Sequence, residues 1–303
     1  MQLQLPNNAA IPLDRPRLMG ILNVTPDSFS DGGRYGRVDA AVRHGLAMAE
    51  AGAVIIDVGG ESTRPGAERL PVDTQCERVL PVIRELRAGL DADHPEVAIS
   101  IDTTLRAVAE PAVDAGAAIL NDVTAGRDDP AMFALAAERG LPIVLMHMQG
   151  TPETMQANPT YQDVVAEVRR FLLERAEAAR QAGVLAERIV IDPGIGFGKT
   201  VAHNLALLAH LDQFVASGYL VLLGASRKGM IGKVSPATGT SSDQRVGGTC
   251  ATTALAVAAG VRLLRVHDVR ENQQAADVAW AITQARRGSA DPSTTPSTDS
   301  STK

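Results

Sequence analysis

Short runs of apolar residues recur along the chain, and each is followed by a longer segment whose apolar positions repeat with helical spacing. The runs predict eight strands, at residues 18–24, 53–59, 97–102, 117–122, 142–147, 188–194, 219–226 and 261–268. The segments between them, such as 38–52 and 161–183, have the amphipathic pattern of helices. Several end in a glycine that fits the position just after a helix, namely Gly52, Gly116, Gly140, Gly183 and Gly260.

Strands that are apolar throughout and alternate with helices predict a parallel sheet that is buried on both faces. Eight such units are the number that closes a (β/α)₈ TIM barrel. An open doubly wound sheet would need a glycine-rich loop after its first strand, and NVTPDSF (23–29) is not one. GIGFGKT (194–200) lacks the glycine spacing of a phosphate-binding P-loop.

The fold class expected is therefore α/β, with one barrel domain over residues 17–287. Residues 1–16 form a leader, and the Ser/Thr/Pro-rich residues 288–303 have almost nothing to bury, which predicts a disordered tail. Hydrophobic residues make up 45% of the chain and aromatic residues 3%, so the core must be aliphatic, as barrel interiors are.

Composition also excludes several classes of partner. The net charge is −6, which makes nucleic acid an unsuitable partner, and no apolar run approaches the length of a membrane span. No signal peptide is recognised at the N-terminus. Cys76 and Cys250 are far apart and have no metal-ligand spacing, so we expect free, buried thiols in the reducing cytoplasm.

Polar side chains stand at the carboxyl ends of the predicted strands, where a barrel of this kind carries its active site. Acceptors follow the third, fourth and sixth strands: Asp102, Asn121 and Asp192. Cations follow the last two strands: Arg227, Lys228, Arg265 and His267. We expect one side of the mouth to offer acceptors and the other positive charge. That division suits a flat, donor-rich heterocycle such as an aminopyrimidinone, joined to a diphosphate.

The carboxylates also have a plainer interpretation as helix caps. Asp102 and Asp192 each precede a predicted helix, but Thr104 and Thr200 can cap those helices instead. This favours ligand binding for the two carboxylates. Asp122 is more suited to holding the backbone of its own loop.

The basic residues are ambiguous as well. Arg227 and Lys228 are adjacent in sequence, so both cannot face the barrel interior, and one of them must be structural or face solvent. His267 is either a core histidine or a site residue, and the sequence leaves both open. His147 and His203 are assigned to structural or rim positions.

Two loops are longer than simple turns require. SFSDGG (28–33) follows the first strand, and STRPGA (62–67) follows the second. Long loops in compact domains are usually functional, which favours mobile lids over plain turns.

The motifs at these strand ends resemble those of the dihydropteroate synthase family. They are MGILNVTPDSFSDGG, IIDVGGESTRPGA, SIDTT, ILNDV, VLMHMQGTPETMQ, IDPGIGFGKT, GASRKGMIG and RVHDV. The resemblance spans residues 18–285. It implies a (β/α)₈ transferase of folate biosynthesis, a cytoplasmic homodimer and sulfonamide target. Such an enzyme joins 6-hydroxymethyl-7,8-dihydropterin diphosphate to 4-aminobenzoate and requires Mg²⁺.

The resemblance also implies roles for particular residues. The pterin would be held by Asp102, Asn121, Asp192 and Lys228. The diphosphate would be gripped by Arg265 and His267, with Thr63 and Arg64 closing over it and Asn23 contacting Mg²⁺. Ser62, Pro65 and Phe197 would help to form the aminobenzoate pocket. Within this set the catalytic residues would be Asp102, Lys228, Arg265 and His267.

Three other interpretations remain. A pterin-binding methyltransferase would share the barrel and its acidic side, but it would not need the STRPGA loop or the Arg265–His267 pair. A catalytically silent relative would bind pterin without turnover, which the retained Asn23 and Lys228 argue against. A barrel of unrelated chemistry is possible because fold does not determine function.

Overall fold

The apolar runs form a closed barrel of eight parallel strands. The computed structural model describes residues 1–25, 34–62, 66–67, 69–236 and 241–288. The barrel strands are β3 (Arg17–Asn23), β4 (Ala53–Gly59), β5 (Ala98–Asp102), β6 (Ile119–Asp122), β7 (Ile143–Met146), β8 (Ile189–Asp192), β9 (Leu220–Leu223) and β10 (Leu263–Val266). Each pairs with the next along the chain, and β10 pairs with β3 to close the ring. The predicted barrel and its eight strands are confirmed, with every strand end within three residues of expectation.

Helices pack outside the strands and bury an aliphatic layer against them. They are α1 (Arg34–Glu50), α2 (Val72–Asp93), α3 (Arg106–Asp114), α4 (Ala131–Arg139), α5 (Val164–Gln181), α6 (Val201–Ala209), α7 (Leu211–Val215), α8 (Gly229–Val234), α9 (Val246–Ala258) and α10 (Val269–Gly288). The five glycines predicted at helix ends all have positive φ, from 62° at Gly140 to 121° at Gly116. Glycine adopts this backbone conformation without the steric cost that other residues meet.

An antiparallel hairpin that the strand assignment did not anticipate precedes the barrel. Its strands are β1 (Gln2–Gln4) and β2 (Ala10–Pro12). Leu3 and Leu13 are each 1% exposed and pack in one cluster with the first inward-facing residues of the barrel strands, Met19 and Leu263 among them. The segment predicted as a leader thus carries two strands that cover the amino-terminal end of the barrel.

The remaining expectations concern the cysteines, membrane spans, and segments that the structure does not describe. Cys76 and Cys250 are both free, as predicted, but they are partly exposed rather than buried. In the described part of the chain, no helix combines the length and the apolar character that crossing a membrane would require. The predicted tail beyond residue 288, the loop 28–33, and residues 63–65 of the second loop lie outside the described residues.

Candidate active site

The inward-facing positions of the strands change from apolar to polar toward the carboxyl end of the barrel. On β6, Ile119 belongs to the apolar interior cluster, and Asn121, two residues later, is a buried amide. On β10, Leu263 and Arg265 have the same relation. Side chains two residues apart on a strand face the same side, so one strand supplies both the core and the site.

A carboxylate on β4 is the centre of the polar layer. Asp57 is fully buried, and its Oδ2 accepts hydrogen bonds from Asn121 Nδ2 at 2.9 Å and from Arg265 Nε at 2.6 Å. Its other oxygen, Oδ1, is buried and has no hydrogen-bond partner among the described residues. The sequence analysis missed this residue, although an aspartate inside the apolar run AVIIDVG was a usable signal.

Arg265 joins two carboxylates from neighbouring strands. Its Nη2 donates to Asp102 Oδ2 at 2.7 Å while its Nε holds Asp57. Burial raises the pKa of Asp102 to about 7, against the opposing effect of Arg265. The acceptors and the cations do lie on different strands, as expected. They are not separate in space, however, because Arg265 contacts the carboxylates of Asp57 and Asp102.

Asp192 and Lys228 face the same mouth from β8 and from the loop after β9. Asp192 Oδ1 accepts from the Gly194 N–H at 2.7 Å, and burial raises its pKa to about 6. Burial and the charge of Arg265 lower the pKa of Lys228 to about 8. The Lys228 ammonium stands 4.0 Å from the centre of the Phe197 ring, a cation–π contact. Both residues lie where the sequence predicted them.

The alternative roles considered for the carboxylates are now resolved. The residue preceding α3 is Leu105 and makes no side-chain cap, so Asp102 does not cap that helix. Thr200 caps α6 through its hydroxyl, which leaves Asp192 free for the site. Asp122 accepts from the Thr124 N–H at 2.8 Å and holds its own loop, as expected.

Arg227 is the structural member of the adjacent basic pair. It has a positive φ of 56°, and its guanidinium pairs with Asp268, with Nε to Oδ2 at 2.9 Å. Its N–H also donates to Thr249 Oγ1 at 3.0 Å. This backbone conformation turns Arg227 away from the mouth and leaves Lys228 facing it, which confirms that the two do not both point inward.

His267 lies beside the mouth but does not carry charge at neutral pH. Its Nδ1 is 2.9 Å from Ser226 Oγ, and its backbone N–H donates to the same oxygen at 3.1 Å. Burial and the nearby charges of Arg227 and Arg265 lower its pKa to about 3. The lowered pKa favours a neutral imidazole at this position, which the sequence analysis counted among the cations. A bound anion would raise that pKa, because negative charge favours the protonated form.

The remaining predicted residues border this centre. Asn23 ends β3, and a Cβ built at Gly59 would lie 3.8 Å from its Oδ1 and 3.7 Å from Asp102 Oδ2, so the glycine leaves space between the two side chains. Phe197 packs in a buried cluster with Val123, Met146, Met148 and Met155. Ser62 is partly exposed at the edge of the described loop. The positions of Thr63, Arg64 and Pro65 are not described.

The histidines predicted as structural have such roles. His203 completes a capping box with Thr200 at the start of α6. His147 is buried, and its Nδ1 lies 2.9 Å from the ammonium of Lys199. Burial and that ammonium lower the pKa of His147 to about 2. Lys199 was not selected from the sequence, because GIGFGKT was considered as a phosphate loop and, through the family resemblance, only for Phe197.

This arrangement defines a class of enzyme: a barrel whose mouth combines buried carboxylates and an amide with two cations. The family model described as "Pterin binding enzyme" matches residues 19–267. Dihydropteroate synthase of Escherichia coli strain K12 is 44% identical over 277 residues, which cover 91% of this chain and 95% of the relative. The Mycobacterium leprae enzyme of the same name is 48% identical over 88% of this chain and 93% of its own length.

Solved structures agree with the sequence relatives. A Xanthomonas albilineans dihydropteroate synthase with 4-aminobenzoic acid has a TM-score of 0.85 and 47% identity, covering 94% of this chain and 99% of its own. A complex of that enzyme with 7,8-dihydropteroate has a TM-score of 0.82 at 44% identity, with the same coverage. A Yersinia pestis enzyme in a sulfonamide complex has a TM-score of 0.84 and 41% identity, covering 95% of this chain and all of its own. The chain belongs to the family of pterin-binding enzymes and, within it, to the dihydropteroate synthases.

Proposed function

We propose that this chain condenses 6-hydroxymethyl-7,8-dihydropterin diphosphate with 4-aminobenzoate, giving 7,8-dihydropteroate and diphosphate. The observation that carries the proposal is the single mouth shared by Asp102, Asn121, Asp192, Lys228 and Arg265. The names of the relatives and the ligands of the solved structures support the same reaction. The enzyme is a transferase of folate biosynthesis.

The acidic part of the mouth suits the pterin ring. Asp192 and Asn121 offer oxygens to the ring's N–H groups, and a carboxylate that meets two parallel donors orients a ring as well as binding it. Gly224 leaves room beside Asp192, since a Cβ there would lie 3.5 Å from Oδ2. A flat ligand can therefore lie directly against the carboxylate.

The reaction breaks the bond between the pterin methylene carbon and a diphosphate oxygen. As that bond lengthens, positive charge spreads into the electron-rich dihydropterin and negative charge collects on the leaving diphosphate. Arg265 stands where it can stabilise the leaving anion, and His267 can donate a hydrogen bond to it. Removing one contact of this kind is expected to cost about 10²–10³ in rate.

The residues at the end of β3 fit an Mg²⁺ ion that arrives with the substrate. Asn23 supplies one neutral oxygen, and Gly59 keeps open the space between it and Asp102. Within the described ranges, no group of three histidine, cysteine or acidic side chains is placed to hold a metal. A single amide oxygen from the protein, that of Asn23, suits Mg²⁺, which often takes most of its ligands from substrate phosphates and water. When bound, the ion supplies neutralising charge for the departing diphosphate.

The second half of the reaction needs an amine and a dry site. The neutral nitrogen of 4-aminobenzoate attacks the methylene carbon, forms the new C–N bond and then loses one proton. Because the nitrogen is already unprotonated, no strong general base is required, and we assign none. Loops over the mouth must exclude water, which would otherwise capture the cation. We assign this task to the two loops predicted as lids, residues 28–33 and 62–67.

Diphosphate release in the presence of both substrates, and of each alone, tests the proposal. Release that requires 4-aminobenzoate and yields dihydropteroate supports the synthase. A silent pterin-binding relative would release none, and a pterin-dependent methyltransferase would neither release diphosphate nor consume 4-aminobenzoate. Either result would overturn the proposal.

We further propose that the enzyme is a homodimer joined through the helices that follow the last three strands. Large apolar side chains are exposed there on α6, α8, α9 and α10: Leu205, Val234, Leu255, Val278 and Ile282. Leu255 is 66% exposed, the most exposed of these five side chains. Sedimentation analysis of the wild type and of Leu255→Glu tests this, with a shift from dimer to monomer expected in the variant.

Two further properties belong to the proposed function. Sulfonamides should compete with 4-aminobenzoate, which the sulfonamide complex of the Yersinia pestis relative supports. The reaction is placed in the cytoplasm, which the two free thiols of Cys76 and Cys250 support, since extracellular proteins more often pair their cysteines.

A further inference from the structure

A buried lysine next to the site is unused by the proposed chemistry. Lys199 is 3% exposed and follows Phe197 in the loop between β8 and α6. Its ammonium lies 2.9 Å from the carbonyl oxygens of both Gly194 and Phe197, 3.2 Å from that of His147 and 2.9 Å from His147 Nδ1. The cation therefore stands at the centre of four acceptors.

The four neighbours match an ammonium group and not a neutral amine. Burial lowers the pKa of both Lys199 and His147, which leaves the imidazole neutral. In the tautomer that carries its proton on Nε2, Nδ1 accepts from the ammonium. A neutral amine has two N–H donors, whereas the ammonium has three, which matches the three carbonyl oxygens of His147, Gly194 and Phe197. The acceptors thus oppose the effect of burial and hold the charged form in place.

Three other side chains form hydrogen bonds with the backbone of the same loop. The Gly196 N–H donates to Asn204 Oδ1 at 2.7 Å, and Gln156 Nε2 donates to the Gly196 carbonyl at 2.7 Å. The Tyr161 hydroxyl donates to the Gly198 carbonyl at 2.8 Å. Lys199 binds the same loop from its buried side, through the carbonyls of Gly194 and Phe197.

The loop is also pressed against the strand end beside it. A Cβ at Gly194 would lie 2.0 Å from the His147 carbonyl oxygen, and one at Gly198 would lie 2.5 Å from that of Gln149. Both glycines have positive φ, of 68° and 62°. Because Lys199 donates to both the loop and His147, it holds together two backbone segments that nearly touch.

We propose that Lys199 is a positioning residue for the wall of the aminobenzoate pocket. By holding the carbonyls of Gly194 and Phe197, it fixes the ring of Phe197 against the ammonium of Lys228. This inference rests on the proposed function, in which Phe197 contacts 4-aminobenzoate. Lys199 itself touches neither substrate.

The test is the kinetic pattern of Lys199→Met, with Lys233→Met as the matched control on an exposed lysine of α8. Left without donors, the buried carbonyls favour a rearranged loop, so we expect the KM for 4-aminobenzoate to rise about tenfold or more. The KM for the dihydropterin diphosphate should rise less than the KM for 4-aminobenzoate. Asp192 and Lys228 border this loop through the Gly194 N–H and the Phe197 ring, but Asp102 and Asn121 hold the pterin from other strands. The control should leave both values unchanged.

A double-mutant cycle separates positioning from general stabilisation. If Lys199 acts through the Phe197 ring, Lys199→Met should change the aminobenzoate KM less than about twofold once Phe197→Ala is present. Additive effects would overturn the proposal, as would equal changes in both KM values or a melting temperature that falls while the kinetics stay unchanged.

Lys199→Gln serves if the methionine variant does not fold, since the amide retains two N–H donors. A smaller rise confined to the aminobenzoate KM would support the proposal, and failure of both variants to fold would overturn it in favour of a purely structural role. A wild-type enzyme without diphosphate release would refute the proposed function instead, so the two failures are distinguishable.

Discussion

The two ends of the barrel interior are made by the same strands but have opposite chemistry. At the amino-terminal end, Ile119 and Leu263 pack with the hairpin residues Leu3 and Leu13 in an apolar cluster. Two residues further along the same strands, about 6.6 Å away, the inward-facing side chains are the polar Asn121 and Arg265. Stability and function are thus separated by depth along each strand, and not by region of the sequence.

The mouth carries charges that burial disfavours. Asp192 and Asp102 have raised pKa values, and Lys228 has a lowered one, each with burial as the largest cause. Buried charges of this kind cost stability unless they are well paired. The apolar end supplies no chemistry but contributes the burial that offsets this cost. Variants at one end of the barrel, with both stability and turnover measured, test whether the two ends are independent.

The largest effect is expected at the apolar end. Leu13→Ala should lower the free energy of unfolding by about 2–5 kcal/mol, because it removes a buried side chain and leaves a cavity. Turnover measured well below the melting temperature should be unchanged. Thermal melts and kcat/KM check this, with the half-exposed Leu185→Ala as control. A loss of turnover in folded Leu13→Ala would contradict the separation.

At the mouth the expected pattern is reversed. Lys228→Ala and Asp192→Asn should each lower kcat/KM by about 10²–10³ through lost electrostatic contacts with substrate. Neither should lower the melting temperature at pH 7, because each removes a charge that burial disfavours. Lys233→Ala and Asp212→Asn make the same chemical changes at exposed positions. Near-full activity in either mouth variant would refute the assignment of the pterin site.

The pH dependence should follow the same buried groups. We expect kcat/KM to fall below pH 7, as first Asp102 and then Asp192 gains a proton, and above pH 8, as Lys228 loses one. Lys228→Arg should move the alkaline limb upward, because a guanidinium keeps its proton. An alkaline limb that stays in place in this variant would show that another group titrates.

Stability should change with pH in a defined direction. Between pH values of about 4 and 6 the folded chain keeps the Asp192 proton while the unfolded chain has lost it, so stability falls as pH rises through this window. Asp192→Asn should therefore gain melting temperature relative to wild type from pH 4 to pH 6. A constant difference would contradict the raised pKa.

The smallest effect tests the space beside Asn23. Gly59→Ala would place a methyl group 3.5 Å from Asp102 Cβ, an ordinary contact that the fold can accept but that occupies the cleft. We expect kcat/KM to fall about tenfold, the effect of one added carbon in a fitted pocket. Gly247→Ala, with nothing within 4 Å of the added carbon, is the control. Equal activity of the two variants would show that the cleft is not used.

The strands, the closure of the barrel and the positions of the polar strand ends all follow from local patterns in the chain. Asp102, Asn121 and Asp192 were predictable because each ends an apolar run, and strand ends of a parallel barrel share one mouth. The positive φ of the helix-terminal glycines was predictable for a local reason, since helix ends favour glycine. Asp57 was accessible to the same reasoning, because a charge inside an apolar strand requires a partner.

Which of these groups contact one another depends on the packing of distant segments and could not be read from local patterns. Arg265 and Asp57 are 208 positions apart, and their contact depends on how the closed ring staggers its strands. The pairing of Arg227 with Asp268 and the enclosure of Lys199 by carbonyls depend in the same way on distant backbone. The hairpin was also decided there, because its few apolar residues become a core only against the open end of a completed barrel.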